Sequence, residues 1–333
     1  MGLTERVAHA AARRPHVLLV PVPGQRPLRW AAEDVLDERG WARAASPAGA
    51  DVLLCCGEPG PELADHVEVA WEAMPGPRVR VVATALAEVR PALLTGAARL
   101  SDLPVQRRDA RDRSAPALSA AADPAAEPEV GHDMDHSMDM GMGMDMDMGL
   151  PGGLQMAGRV QDRDGLRLEG LNLSLGPLLP GWPGGLRLDV VLSGDVLTRA
   201  DVVRLDRQPE PGAPPSLVAL DALAMLLDAA GWTDGALRAR RARATGASGP
   251  PTQDLLRRLR RARLLRWSLR GLPAPASEDL VAHLDRLVDA VHGAGLPVAE
   301  DSRLARDVVG LDVGTASLVV AAHSALEAVG AGV

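Results

Sequence analysis

A short segment in the middle of the chain is built almost entirely from residue types that bind metal ions. Residues 132–148 read HDMDHSMDMGMGMDMDM and contain seven methionines, two histidines and five aspartates. Thioether sulfur is a soft donor and imidazole nitrogen a borderline one, so this combination suits Cu(I) better than Ca²⁺ or Mg²⁺. The candidate metal ligands are His132, Met134, His136, Met138, Met140, Met142, Met144, Met146 and Met148. Cu(I) is therefore the first metal to test, with Ni²⁺ as a second candidate.

The same segment has a simpler interpretation as a low-complexity spacer. Asp, Gly and Met in this arrangement cannot bury enough apolar surface to form a packed element. Both interpretations stay open, and both predict a disordered segment.

Length, charge and hydropathy restrict the class of protein. A chain of 333 residues is long enough for two compact domains. The formal net charge of −8 argues against general nucleic-acid binding. We find neither a secretory apolar region nor a run of about 18 apolar residues, so we expect a cytoplasmic protein without a transmembrane segment. Peripheral association with a membrane remains compatible with this composition.

The N-terminal part has the pattern of an α/β domain. Short apolar runs at 16–22, 51–56 and 79–82 are bounded by Pro and Gly, which is typical of buried parallel strands. Residues 28–39 and 61–74 have helical spacing of apolar residues. Alternating strands and helices predict an open α/β sandwich.

Two adjacent cysteines, Cys55 and Cys56, lie on one of these predicted strands. Their adjacency excludes a structural disulfide framework. Free cysteine is among the most buried residue types, so one interpretation is a pair of small core residues. The alternative is a reactive or metal-binding pair.

Residues 50–82 resemble the small, cluster-carrying subunit of NADH:quinone oxidoreductase (complex I), whose fold is shared with the small subunit of [NiFe]-hydrogenases. The matching features are the strand ending at Gly57, the helix that follows it, and the turn Met74-Pro75-x-Pro77-Arg78. The resemblance implies a flavodoxin-like fold for this part of the chain.

The cofactor-binding residues of that family are missing here. The family carries a Gly-Ser-Cys loop after the turn, whereas this chain reads Ala83-Thr84-Ala85-Leu86, with Leu86 at the ligand position. A [4Fe–4S] cluster needs four thiolates, and the chain has two cysteines. We therefore predict no iron–sulfur cluster. Gly24 follows the first strand without a G-x-G-x-x-G motif, so we predict no nucleotide cofactor either.

The C-terminal part changes to an antiparallel pattern followed by helices. Apolar and polar residues alternate at 166–168, 171–175 and 186–190, and residues 193–195 form a predicted hairpin turn. Predicted helices follow at 216–230, 252–270, 277–292 and 313–329. This order is typical of an α+β domain.

This part resembles the large quinone-site subunit of complex I, which is homologous to the large subunit of [NiFe]-hydrogenases. The resemblance rests on Leu175-Gly176-Pro177-x-x-Pro180 and on Ser193-Gly194-Asp195-Val196. The family places a quinone-binding histidine before the last proline, whereas this chain has Leu179, and it has no Tyr to serve as the partner. No cysteine follows Cys56, so the nickel and iron ligands of hydrogenases are also absent.

Arginines are concentrated in one block, from Arg238 to Arg270. In its second part an apolar stripe runs between them, which predicts a helix with one face in the core. The arginines either form a solvated face that pairs with acidic residues elsewhere or bind an acidic partner or phosphate.

The predicted fold class is a flavodoxin-like α/β N-terminal domain plus an α+β C-terminal domain. Its parts are an α/β domain at 1–104, a disordered linker at 105–150, an antiparallel β unit at 151–210 and a helix bundle at 211–333. The predicted function is a non-catalytic accessory or interaction protein of a respiratory or hydrogenase-type complex, with a metal-binding linker and with no catalytic residues of its own. One alternative is a cytoplasmic protein that binds and delivers Cu(I) or nickel. The other is an NADH:quinone oxidoreductase-type subunit that is active only with partner subunits.

Overall fold

The computed structural model describes residues 13–121, 156–161, 167–275, 278–296 and 301–324. The N-terminal half, residues 13–121, contains a parallel sheet and helices, and the C-terminal half, residues 156–324, contains an antiparallel sheet and helices. The structure confirms the expected layout: an α/β part, a separate antiparallel sheet and a group of helices. Within the described residues, no helix is both long and apolar enough to cross a membrane.

The sheet of the N-terminal half has four parallel strands in the order β2-β1-β3-β4. Its strands are β1 (His16–Pro21), β2 (Ala42–Arg43), β3 (Val52–Cys56) and β4 (Val79–Ala83). All five residues of β3 are buried, as the continuous apolar run predicts for a central strand covered on both faces.

Four helices connect or follow these strands. They are α1 (Arg26–Arg39), α2 (Pro61–Ala73), α3 (Leu86–Leu100) and α4 (Leu103–Ala121), with a 3₁₀ turn at Pro47–Gly49 before β3. Helix α1 ends at Gly40, whose left-handed backbone closes the last turn. Helix α4 occupies the first part of the segment from 105 to 150 that we expected to be a linker. The first turn of α4 is fixed by the side-chain amide of Gln106, which accepts a hydrogen bond from the N–H of Arg78 and donates one to its carbonyl. Local composition does not reveal this long-range contact.

The two faces of the parallel sheet are covered by different helices. Alternate strand residues such as Val52 and Leu54 pack with α1 and α3 on one face. The intervening residues, including Leu53, pack with α2 on the other face. This alternation follows from the two-residue period of a strand and gives the half two apolar layers.

The antiparallel sheet of the C-terminal half has the order β5-β6-β7-β8, and a two-stranded ribbon joins β9 to β10. The strands are β5 (Met156–Gln161), β6 (Arg167–Leu175), β7 (Leu186–Ser193), β8 (Val196–Arg204), β9 (Pro273–Ala274) and β10 (Glu278–Asp279). The predicted turn after Ser193 lies between β7 and β8, where Gly194 has a positive φ of 62°.

The described residues of this half form seven helices. They are α5 (Pro215–Ala229), α6 (Thr233–Ala244), α7 (Pro250–Arg261), α8 (Arg263–Ser268), α9 (Leu280–Val291), α10 (Asp301–Val308) and α11 (Val313–Ser324). Helix α5 is buried along ten consecutive residues and forms the centre of the helical core. The single helix expected at 252–270 is divided into α7 and α8 because the backbone at Ala262 leaves the helical region.

A buried histidine in this core predicts a pH dependence of stability. His283 on α9 is fully buried, and burial, together with the nearby His323, lowers its pKa from 6.5 to about 4. The unfolded chain therefore binds a proton at a higher pH than the folded chain does. Below about pH 6.5 stability falls, and the loss attributable to His283 reaches on the order of 3 kcal/mol near pH 4.

Chemical denaturation of the full chain between pH 7 and pH 4 measures this effect. We expect His283→Gln to show a much smaller loss than the wild type over that interval. His292→Gln, at the exposed end of the same helix, is the control and should follow the wild-type curve. Equal pH dependence of the His283 variant and the wild type would contradict the prediction.

Candidate functional site

The predicted metal segment, residues 132–148, lies outside the described residues. All nine candidate ligands fall in it: His132, Met134, His136, Met138, Met140, Met142, Met144, Met146 and Met148. Elsewhere, in the part of the chain that the structure does describe, no three His, Cys, Asp or Glu residues converge as a metal-binding group. The copper hypothesis therefore stays a prediction from the sequence.

The adjacent cysteines are core residues, as the first interpretation predicted. Both are fully buried on β3 and are not disulfide-bonded. Their side chains point to opposite faces of the sheet, because Cys56 packs with α1 and α3 and Cys55 packs with the α2 layer. Burial raises the pKa of Cys55 to about 11 and raises that of Cys56 further. Two thiols on opposite faces cannot ligate one cluster, so these residues do not fit an iron–sulfur group.

We expect both thiols to be inert in the folded protein, because the thiolate is the reactive form and neither sulfur is accessible. Titration with a thiol-specific chromogenic reagent should detect no free thiol in the native chain and two after unfolding in denaturant. A variant with an added surface cysteine, Val69→Cys, provides a positive control, since Val69 is 71% exposed. Rapid labelling of the native wild type would show that β3 opens or is exposed.

The carboxyl edge of the parallel sheet is the position where open α/β folds usually bind ligands, above all where the strand order reverses. Here that point lies between β1 and β3. Helices α1, α2 and α3 begin at this edge, and the first backbone N–H groups of a helix can donate hydrogen bonds to an anion. The segment 205–210 of the C-terminal half lies against this edge, because Asp206 accepts from the N–H of Leu63 and Glu210 accepts from that of Gly24.

Glu210 occupies the N-terminus of α1. Its carboxylate accepts hydrogen bonds from the N–H of Gly24 and from that of Arg26, each at 3.2 Å. Its Oε2 also lies 3.8 Å from Nε of the buried Arg26 side chain. The local N-cap residue, Gln25, makes no side-chain capping bond, so the cap comes from a residue 184 positions away.

Asp206 occupies the N-terminus of α2 in the same way. Its carboxylate accepts from the N–H of Glu62 at 3.3 Å and from that of Leu63 at 2.8 Å. In return, Glu62 accepts from the N–H of Asp206 at 3.0 Å. A side chain at Gly60 would collide with the Asp206 carboxylate, which explains why the residue before this helix is glycine.

Helix α3 supplies its own anion. The Glu88 carboxylate turns back to accept from the N–H of Thr84 at 2.9 Å and from that of Ala85 at 3.1 Å. These bonds lower the pKa of Glu88. All three helix N-termini at this edge are therefore occupied by carboxylates of the chain itself.

A buried network of ion pairs joins α1 of the N-terminal half to α5 and α6 of the C-terminal half. We call this contact region between the two halves the junction. The Arg243 guanidinium donates to Glu33 at 2.9 Å, to Asp221 at 2.8 Å and to Asp34 at 3.2 Å. It also lies over the ring of Trp30, with 5.0 Å from Cζ to the centroid. Arg29 donates to both Glu33 and Asp221, so two arginines and two carboxylates alternate in the interior.

The network extends toward the surface through a second arginine of α6. Arg240 donates to Asp37 at 2.8 Å and to Asp228 at 3.2 Å. Arg43 on β2 donates to the same Asp228. The junction thus combines carboxylates and arginines from both halves.

Charge pairing overcomes the cost of burial in this network. Burial alone would raise the pKa of Glu33, but Arg29 and Arg243 hold it well below its ordinary value. Burial alone would lower the pKa of Arg29, but Asp221 and Glu33 raise it instead. Glu33 and Arg29 therefore stay charged at neutral pH, and removing one partner of the network would leave an opposite charge buried without compensation.

A cleft of about 700 Å³ opens beside this network, between the two halves. Its size falls within the range of small-molecule sites. Its apolar lining includes Leu36, Trp41, Leu178, Trp182 and Met225. Charged groups of the network, including Asp37 and Arg240, also line it. Leu179, at the position where the resemblance expects a quinone-binding histidine, also lines this cleft and is 38% exposed.

The sequence patterns did not identify Asp206, Glu210 or the buried ion pairs as the groups that connect the two halves. Leu86, the expected cluster-ligand position, is exposed at the start of α3 and does not line the cleft. Asp221 carried a signal in the sequence: it is the only charged residue in the first three turns of an apolar helix, which implies a buried partner.

No family model, no curated protein and no solved structure matches this chain.

Proposed function

We propose that this protein is a non-catalytic accessory or interaction protein of a respiratory or hydrogenase-type redox complex, acting in the cytoplasm. In this proposal a unit related to the small subunit and a unit related to the large subunit of such complexes are fused in one chain. The fused pair serves as a scaffold for protein partners.

The strand order of the N-terminal half supports a flavodoxin-like ancestry. The order β2-β1-β3-β4, with all strands parallel, corresponds to the first four strands of the flavodoxin-like doubly wound sheet. Helices on both faces of the sheet are the second feature of that class. This agrees with the motif resemblance of residues 50–82.

The observation that carries the proposal is the closure of the carboxyl edge. An enzyme of this architecture keeps the crevice at the strand reversal open for its cofactor. Here Asp206 and Glu210 fill the anion positions above that crevice. The helix N–H groups that a cofactor would contact instead bind carboxylates of the C-terminal half and so connect the two halves. This favours a scaffold over a cofactor enzyme.

Affinity purification of the tagged full chain from its native cells, followed by mass spectrometry, tests the proposal. We expect subunits of a quinone-reducing or hydrogenase-type complex to co-purify in fixed proportion, and we expect loss of the chain to lower the amount of assembled complex. A chain that migrates alone in native gels, with no effect of its deletion on any redox complex, would reject the accessory role. NADH:quinone activity that requires residues of the cleft would favour the alternative of a subunit active only with partners.

The composition of residues 132–148 supports a second function, binding of Cu(I) through His132, His136 and the seven methionines. Competition against a Cu(I) chelator should give a dissociation constant below millimolar for the full chain and no binding after deletion of 132–148. A control variant with the methionines of this segment replaced by leucine keeps its length and apolarity. If that variant binds Cu(I) as tightly as the wild type, the thioether hypothesis is wrong.

The deletion variant also separates the two functions. If partner co-purification survives the deletion while Cu(I) binding is lost, metal binding and scaffolding are independent. If both are lost, the segment itself is part of the partner interface.

A further inference from the structure

An exposed surface at the turn between α7 and α8 combines apolar and positively charged side chains. Leu264 and Trp267 lie one turn apart on α8 and are 77% and 71% exposed. Exposed arginines surround them. We define the α8 surface as Arg260, Arg261, Arg263, Leu264, Trp267 and Arg270. None of these residues lines the cleft between the two halves.

Among the described residues, no carboxylate forms an ion pair with any of the four arginines of this surface. Of the nearby acidic residues, Asp254 pairs with Arg257 and Arg258, and Asp285 pairs with Arg266. Asp279 accepts a hydrogen bond from the N–H of Ala282 at the start of α9. A chain with a net charge of −8 therefore presents one local cationic patch with two protruding apolar side chains.

We propose that the α8 surface binds the headgroup region of an anionic phospholipid bilayer. Trp and Leu flanked by basic residues on a short helix are typical of a segment that lies in the membrane interface. Arginine is attracted to anionic headgroups, and the indole ring is favoured at the boundary between headgroups and acyl chains.

A lipid surface fits this geometry better than an acidic protein does. Side chains that are more than two-thirds exposed project from the protein, and a fluid bilayer accepts them without a complementary pocket. A protein partner would need a pocket shaped for Trp267, because hot-spot residues are buried in well-packed pockets. The inference goes beyond the proposed function and does not depend on it, since it concerns a surface outside the junction.

Flotation of the purified full chain with lipid vesicles tests the proposal. Vesicles of phosphatidylcholine with about one-third phosphatidylserine should bind the wild type at about 0.1 M salt, and pure phosphatidylcholine should not. Replacing the four arginines Arg260, Arg261, Arg263 and Arg270 by glutamine should weaken binding by about a hundredfold or more, at about fivefold per arginine. The double variant Leu264→Ser/Trp267→Ser should weaken vesicle binding by about tenfold or more.

Matched variants in the N-terminal half serve as controls. Four exposed arginines there, Arg39, Arg99, Arg107 and Arg108, can be replaced by glutamine with the same change in net charge. Val69→Ser removes an apolar side chain that is as exposed as Trp267. Both control variants should bind the acidic vesicles within about twofold of the wild type.

Quenching of tryptophan fluorescence by brominated lipid places Trp267 itself in the bilayer. We expect quenching in the wild type and a lower quenched fraction in Trp267→Leu, which keeps an apolar side chain at this position. The proposal is wrong if the wild type ignores acidic vesicles, or if the control arginine variant loses as much affinity as the α8 variant. It is also wrong if the wild type binds polyglutamate instead of vesicles, because the α8 surface would then be a protein-docking site.

Discussion

Replacing Arg243 by methionine should lower the free energy of unfolding by about 3–5 kcal/mol. Methionine keeps much of the side-chain volume but removes the charge that faces both Glu33 and Asp221. Those two carboxylates would then share Arg29 in the interior, where an unpaired charge is costly. Urea denaturation of the full chain, followed by circular dichroism, measures the change.

Arg241→Met provides the matched control for this prediction. Arg241 lies on the same helix, is exposed, and lines the cleft without an ion pair among the described residues. Its replacement should change stability by less than about 0.5 kcal/mol. If Arg243→Met and Arg241→Met have the same small effect, the buried network does not stabilise the junction.

Replacing Glu210 by alanine should lower the free energy of unfolding by about 2–4 kcal/mol. The change removes two charge-assisted hydrogen bonds from the N-terminus of α1 and leaves the guanidinium of Arg26 buried beside it. Burial already lowers the pKa of Arg26, and Glu210 is the largest opposing influence. Glu58→Ala, in the exposed loop after β3, is the control and should have an effect below about 0.5 kcal/mol.

The same variant should gain an affinity for anions that the wild type lacks. Without the Glu210 carboxylate, the N–H groups of Gly24 and Arg26 are free to bind phosphate at a helix N-terminus. Phosphate at about ten times its dissociation constant should restore about 1.4 kcal/mol to Glu210→Ala, compared with chloride at equal ionic strength. Equal stabilisation of the wild type and the variant would mean that Glu210 does not occupy an anion site.

The sequence predicted those parts of the fold that depend on local patterns. The apolar runs around Leu18, Leu54 and Val81 form β1, β3 and β4, because a strand buried on both faces needs only its own residues to be recognised. Helix α1 was predicted because apolar spacing and Gly40 mark its face and its end.

The junction could not be predicted because its contacts join distant positions. Glu210 caps a helix that begins 184 residues earlier, and Arg243 pairs with Glu33 across 210 positions. Local periodicity contains no information about such pairs. A weaker signal existed in the first turns of α1 and α2, where Gln25 and Gly60 make no side-chain cap, so that both helices require an anion from elsewhere.

The arginine block shows how one pattern can have two outcomes. Arg240 and Arg243 pair with acidic residues, as the first interpretation expected, but they do so in the interior rather than on a solvated face. Arg260 and Arg261, a few turns later, are exposed. Helix α6 was not predicted because arginines replace the apolar stripe that normally marks a buried helix.

The cofactor content of the isolated chain tests the scaffold proposal most directly. The measurement is the amount of iron, acid-labile sulfide and flavin in full-length protein purified without oxygen, read together with its visible absorption spectrum. With Cys55 and Cys56 on opposite faces of β3 and the carboxyl edge filled by Asp206 and Glu210, we predict none of these in stoichiometric amount. One cluster or one flavin per chain would show that the closed edge is not the functional state and would contradict the account.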